Sequence, residues 1–212
     1  MDDAPRRQDR TTTFYRQLRE DVLAGAFPVG SVLLETTLAE RYGGSRTPIR
    51  EALNLLEHDG LLERAARGYR VRSGTPEDVV EIYEARLALE SEAAGAAARR
   101  STDLDLTRLA HLHERCRHGE SDTERRADNF RFHEALWRAG HNATITGILT
   151  RLTAQLRIYD SGPPAAYGDL DVLDAEHDDI LTALRDHDPD AASTAMRAHL
   201  RRSLDQRIRA TL

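Results

Sequence analysis

Ser45-Arg46-Thr47-Pro48-Ile49-Arg50-Glu51-Ala52-Leu53 decides how the first third of this chain is read. Ile49, Ala52, Leu53 and Leu56 recur at i, i+3, i+4 and i+7, which makes one apolar stripe of a helix. Arg46, Thr47, Arg50 and Asn54 fall on the other face. Ser45 or Thr47 can cap this helix, and Pro48 fits its first turn, where no N–H partner is needed. Gly43-Gly44 separates it from an earlier short helical pattern, and it ends near Gly60. Residues 61–72 then read as a β-hairpin turning at Ala66-Arg67-Gly68, with Tyr69 and Val71 facing in and Arg70 and Arg72 facing out. Helix, turn, helix, hairpin is the plan of a winged helix-turn-helix. In that plan, arginines at the start of the second helix reach base edges in the major groove, where their fork matches guanine O6 and N7.

Working outward, residues 1–10 are polar and charged and are expected to be a disordered tail. Phe14, Leu18 and Val22 start a first helix that Gly25 and Pro28 end. This places the DNA-binding domain at residues 11–73 and a linker at 74–78, around Ser73-Gly74-Thr75-Pro76. Thr75 can cap the next helix, with Pro76 at its first position. From there the pattern is helical throughout. It predicts six helices, over 76–99, 103–117, 122–140, 143–159, 170–186 and 188–210, with one long loop from Asp160 to Gly168. The expected fold is mostly α: a winged head followed by an all-helical bundle, residues 79–212, for effector binding and dimerisation.

Composition narrows the function. The net charge is −6, all thirty basic residues are arginine, and Cys116 is the single cysteine. One cysteine excludes a disulfide framework and a thiolate zinc site and fits the cytoplasm. No apolar run is long enough to span a bilayer, and the N-terminus is not a signal peptide. Residues 1–73 carry 12 Arg against 11 acids, and residues 74–212 carry 18 against 25. Within 46–72 there are six Arg against four acids, so basicity is concentrated in the second helix and the hairpin. That suits a specific groove reader better than a protein that coats DNA blindly.

In the helical half, His133, His177 and His199 each lie on the apolar stripe of a different predicted helix. Each buried imidazole needs a polar partner or must be a satisfied core residue. A divalent metal would partner all three, and Asn129, four residues before His133, offers an amide oxygen as a fourth ligand. Asp128 is one residue off that face. Arg86 also points along an apolar stripe. Either it bridges to Glu90 at i+4, or it enters a pocket and pairs with a ligand carboxylate.

These motifs carry a family resemblance. Pro28-Val29-Gly30-Ser31, Leu38-Ala39-Glu40-Arg41-Tyr42, Ser45 to Leu53, Asp59-Gly60-Leu61 and Arg67-Gly68 together resemble the DNA-binding domain of the GntR family of bacterial transcription regulators. The resemblance implies DNA contacts by Arg46, Thr47, Arg50 and Gly68, the glycine letting the wing backbone approach the minor groove; Asn54, on the same helix face, and Arg67, at the hairpin turn, complete the candidate DNA-binding set. Thr36 stands where some members have a DNA-contacting arginine. The helical half, opening with Glu84-Ala85-Arg86-Leu87-Ala88-Leu89-Glu90, resembles the FCD ligand-binding domain of the FadR subfamily, and its six helices resemble the VanR-like group. That resemblance implies a metal, Zn, Ni or similar, at Asn129, His133, His177 and His199, with Asn129 replacing the usual aspartate. It also implies a small organic acid effector, for which Arg86 is the candidate contact.

The expectation is thus a homodimeric, cytoplasmic, non-enzymatic regulator, a repressor on a palindromic operator. Two alternatives come from other classes. One is a regulator in which the metal ion itself is the effector. The other is a helical metalloenzyme, disfavoured because a di-iron site needs paired Glu-x-x-His motifs and the sequence offers only Asp174-x-x-His177.

Overall fold

The computed structural model describes residues 4–159 and 170–211, with side chains for 9–159 and 171–209. The predicted loop from Asp160 to Gly168 lies outside the described residues. The elements are α1 (Ala4–Leu23), β1 (Val32–Leu33), α2 (Glu35–Arg41), α3 (Arg46–His58), β2 (Leu62–Arg64), β3 (Tyr69–Val71), α4 (Pro76–Arg100), α5 (Asp103–His118), α6 (Asp122–Ala139), α7 (Ala143–Tyr159), α8 (Leu170–Arg185) and α9 (Pro189–Thr211). They form two compact units. The first holds everything before α4 together with the end of α7 from Thr153; the second holds the remainder.

In the first unit the three strands form an antiparallel sheet in the order β1-β3-β2, with Leu62 opposite Val71 and Arg64 opposite Tyr69. Tyr69 and Val71 are buried and Arg70 is exposed, as the hairpin alternation requires. The stripe of α3 is fully buried at Ile49, Ala52, Leu53 and Leu56, against Phe14, Leu18 and Val22 of α1. Burial of such side chains contributes about 1.5–3 kcal/mol each.

Three expected boundaries need correction. α1 begins at Ala4, inside the stretch expected as a tail, because Ala, Arg and Gln are good helix formers, Pro5 falls in the first turn, and extending an existing helix costs little. The linker ends at Thr75, since Pro76, Glu77 and Asp78 already form the first turn of α4. The helical domain is not continuous from 79 to 212. Ala154 and Ile158 of α7, one turn apart, lie in the core of the first unit, and Gln155 Nε2 donates to the Asp59 carbonyl at 2.8 Å.

In the second unit α4 packs along α9, α5 packs on α6 and α8, and α8 packs on α9. The α4–α9 contact is close because Ala93 to Ala98 of α4 carry little or no side chain. A Cβ on Gly95 would lie 2.6 Å from Ser193 Oγ, and Ser193 Oγ donates to the Ser91 carbonyl at 2.8 Å. All six predicted helices are present within a residue or two of the expected limits.

Candidate nucleic-acid interface and metal centre

The reading face starts where the chain is extended at Ser45 and turns into α3 at Arg46. Ser45 makes no side-chain cap bond. Arg46, Thr47, Arg50 and Asn54 are all exposed on the face opposite the buried stripe. The arginines are not free chains. Arg50 Nε and Nη2 donate to the two carboxylate oxygens of Glu35 at 2.8 and 2.7 Å, and Arg46 Nη2 lies 3.8 Å from the same carboxylate. The Arg50 hydrogen bond holds the Glu35 carboxyl below its ordinary range. Asn54 also meets the wing. Its Oδ1 accepts from Arg64 Nη2 at 2.7 Å and from the Tyr69 hydroxyl, so it ties α3 to both strands of the wing. Arg64, absent from the sequence expectations, also donates from Nε to Glu57 at 3.0 Å and stacks over the Tyr69 ring. At the wing tip Arg67 is exposed and Gly68 has φ +74°. A Cβ on Gly68 would meet the Leu33 carbonyl oxygen at 2.3 Å, so the glycine is required by packing against β1 as well as by the turn.

The second unit brings the three predicted histidines together. His133 of α6, His177 of α8 and His199 of α9 are buried, with ligand nitrogens all within 4.8 Å of one another. His133 Nδ1 pairs with Glu90 Oε2 at 2.8 Å, and His199 Nδ1 pairs with Glu176 Oε2 at 2.7 Å. A carboxylate accepts, so each Nδ1 carries a proton, and a ring with no second proton keeps its lone pair on Nε2. Those two Nε2 atoms face each other at 3.1 Å. A proton carried by one of them makes this a hydrogen bond, and a cation at the same point would take both lone pairs. His177 is fully buried with neither ring nitrogen hydrogen-bonded, and Asn129 Oδ1 is a buried acceptor without a partner. Burial, then the neighbouring histidines, push the His177 imidazole well below its ordinary pKa, and burial takes His199 down to about 4. The three converging imidazoles are a donor set that fits a borderline divalent ion such as zinc or nickel.

Around this cluster Glu90 is fully buried and accepts from Arg86 Nε at 2.6 Å and Trp137 Nε1 at 2.9 Å as well as from His133. Burial by itself would raise the Glu90 carboxyl, but Arg86 and His133 outweigh it and hold it at about 2. Of the two arrangements open to Arg86, the structure forms the bridge to Glu90. The buried Arg86 guanidinium also lies over Tyr83, as does that of Arg207. Asp128 is buried and paired with Arg115 and Arg131. Phe132 stacks on His177 at 4.1 Å.

Comparison with known proteins follows the same division. Residues 10–71 match the bacterial regulatory proteins of the gntR family, and residues 81–202, over half of the chain, match the FCD domain. The chain belongs to the GntR family, in its FCD-bearing branch. Among curated relatives, the uncharacterized HTH-type transcriptional regulator YdhC of Bacillus subtilis is 38% identical over 141 residues, 64% of this chain and 63% of that protein. The alignment thus spans a little under two thirds of YdhC. The probable D-xylose utilization operon transcriptional repressor of Paenarthrobacter nicotinovorans is 30% identical over 210 residues, 94% of this chain and 91% of that one. The solved structure of E. coli McbR/YncC shares the fold, with a TM-score of 0.80 at 23% identity over 96% of this chain and 99% of that one. The GntR and FCD matches identify a transcription regulator, not an enzyme.

Within this GntR-family chain, sequence reasoning missed one histidine that it had the means to find. His113 is buried on α5, its ring 5.7 Å from that of His177, with Nε2 on Asp178 at 2.9 Å and Nδ1 without a hydrogen-bond partner. Leu109, Leu112 and Cys116 flank it at i−4, i−1 and i+3, the same stripe signal that marked the other three. Glu90 and Glu176 were also missed as histidine partners, and only the packing of separate helices reveals them.

Proposed function

We propose that this regulator is a repressor that binds a palindromic operator as a cytoplasmic homodimer and is controlled by a small organic acid bound in the helical unit. Arg46, Thr47 and Arg50 read bases, while Arg67 and Gly68 place the wing. Asn129, His133, His177 and His199 hold a divalent metal. A bound divalent ion would supply a fixed positive centre for a carboxylate. Arg86 adds a second positive charge for the acid, shared with Glu90.

The observation that carries this reading is the convergence of three buried imidazoles, with ligand nitrogens within 4.8 Å of one another and neither nitrogen of His177 hydrogen-bonded. Elemental analysis of protein purified without chelator or nickel column tests it, beside a His133→Ala, His177→Ala double variant. About one metal per chain in the parent, absent from the variant, supports the site. No metal in either rejects it. A metal-chelating acid such as citrate should then change the affinity of the metal-loaded protein for its operator.

One observation favours a second reading. With Asn129 in place of a carboxylate, every candidate ligand is neutral, which weakens binding and lets occupancy follow the free metal concentration. The ion itself would then be the effector, and metal titration without any acid would shift DNA affinity.

A further inference from the structure

We propose that Glu35 is a specificity-determining residue of the reading head: it pre-sets Arg50, and steadies Arg46, for base contact while lowering their pull on DNA of the wrong sequence. This rests on the assignment of α3 as the reading helix and not on the metal reading. Glu35 lies at the surface of the head with its carboxylate only 17% exposed, whereas Arg50 and Arg46 are 51% and 63% exposed. The acid is therefore the fixed partner and the guanidiniums project outward from it. Arg50 commits its Nε–Nη2 edge to Glu35. A guanidinium has five N–H groups, so Nη1 and the second Nη2 hydrogen remain for a base or phosphate. An arginine side chain has many rotamers, and one already clamped loses less entropy when it reads a base.

The same carboxylate acts on charge. Residues 1–73 carry a net charge of only +1, with their excess of arginine on α3 and the wing. A negative charge set between two of the six arginines in residues 46–72 cuts the attraction to phosphate that every sequence offers equally. Correct bases are read through hydrogen bonds that phosphate attraction cannot replace. Both effects widen the gap between right and wrong DNA.

The rival role is that of a phosphate mimic that simply competes with DNA. Removing a competitor tightens binding to all DNA and leaves base preference intact. The two roles separate in one experiment on the full chain, comparing the parent with Glu35→Gln, Glu35→Asp and Arg50→Lys. Each is titrated with a short duplex of random sequence at several salt concentrations. Each is also used to select binders from a pool of random duplexes. Glu35→Gln should bind the random duplex several-fold tighter, with a log–log salt slope steeper by about one. Its selected pool should lose about tenfold in base preference at the positions Arg50 reads, the low end for one bidentate base contact. Glu35→Asp should restore most of that preference. Arg50→Lys, which keeps the charge but not the fork, should lose the preference without tightening on random duplex. A Glu35→Gln protein that selects as sharply as the parent overturns the proposal, whatever its affinity, and so does an Arg50→Lys protein with unaltered base preference.

Discussion

The reading head and the histidine cluster both set cations against carboxylates, but one does so in water and the other in the protein interior. Between α3 and α2, Arg50 and Glu35 meet at 2.7 Å with the arginine half exposed. In the helical unit, Arg86 and Glu90 meet at 2.6 Å with the acid completely buried. Water screens the first pair and lets it exchange partners, which a DNA reader requires. The second is shielded from water, so its groups depend on one another: Arg86 on Glu90, and Glu90 on His133 and Trp137. Exposed charge is suited to recognition and buried charge to holding one arrangement.

The largest expected effect lies on the buried side. Glu90→Ala leaves the Arg86 guanidinium buried without its anion and should cost about 3–5 kcal/mol, read by chemical denaturation. A loss below about 1 kcal/mol would show that water reaches Arg86 and would erase the contrast. Next, zinc at about 100 times its Kd should raise stability by about 2.7 kcal/mol, and the His133→Ala, His177→Ala double variant should not respond. Asn54→Ala, which frees Arg64 and leaves the Tyr69 hydroxyl without its acceptor, should cost about 1 kcal/mol. The smallest effect belongs to Arg70 and Glu63, which meet at 3.6 Å with both side chains about half exposed. A double-mutant cycle should give a coupling under about 0.5 kcal/mol that vanishes in high salt.

The sequence made some of these features legible and hid others for physical reasons. Helix periodicity and breakers located all six helices of the second half, and alternation gave the in-and-out order of Tyr69, Arg70 and Val71. The strand Val32–Leu33 carries no such signal, because two residues cannot show a period and pair only once β3 is present. The start of α1 was hidden because its first turns are polar and take their helicity from the apolar turns beyond Phe14. His133, His177 and His199 were visible from their stripes, and His113 had the same signature. Their carboxylate partners were not, since Glu90 and Glu176 meet histidines 43 and 23 positions away. Asn54 was legible as an exposed residue of α3, but the wing groups its oxygen accepts from, on Arg64 and Tyr69, lie 10 and 15 positions away and only packing reveals them.

The placement of Ala154 and Ile158 in the core of the head has a consequence for how the protein is made. The head is not written in one continuous stretch of the gene. A ribosome that has released everything through the wing has not yet synthesised the residues that complete that core, and they emerge only after α4, α5 and α6. Domains generally fold as units during synthesis, the N-terminal one first. Here the nascent head must wait with part of its apolar surface wet. A fragment cut at Thr75 would keep that surface open permanently, so the head should be produced and studied within the full-length chain.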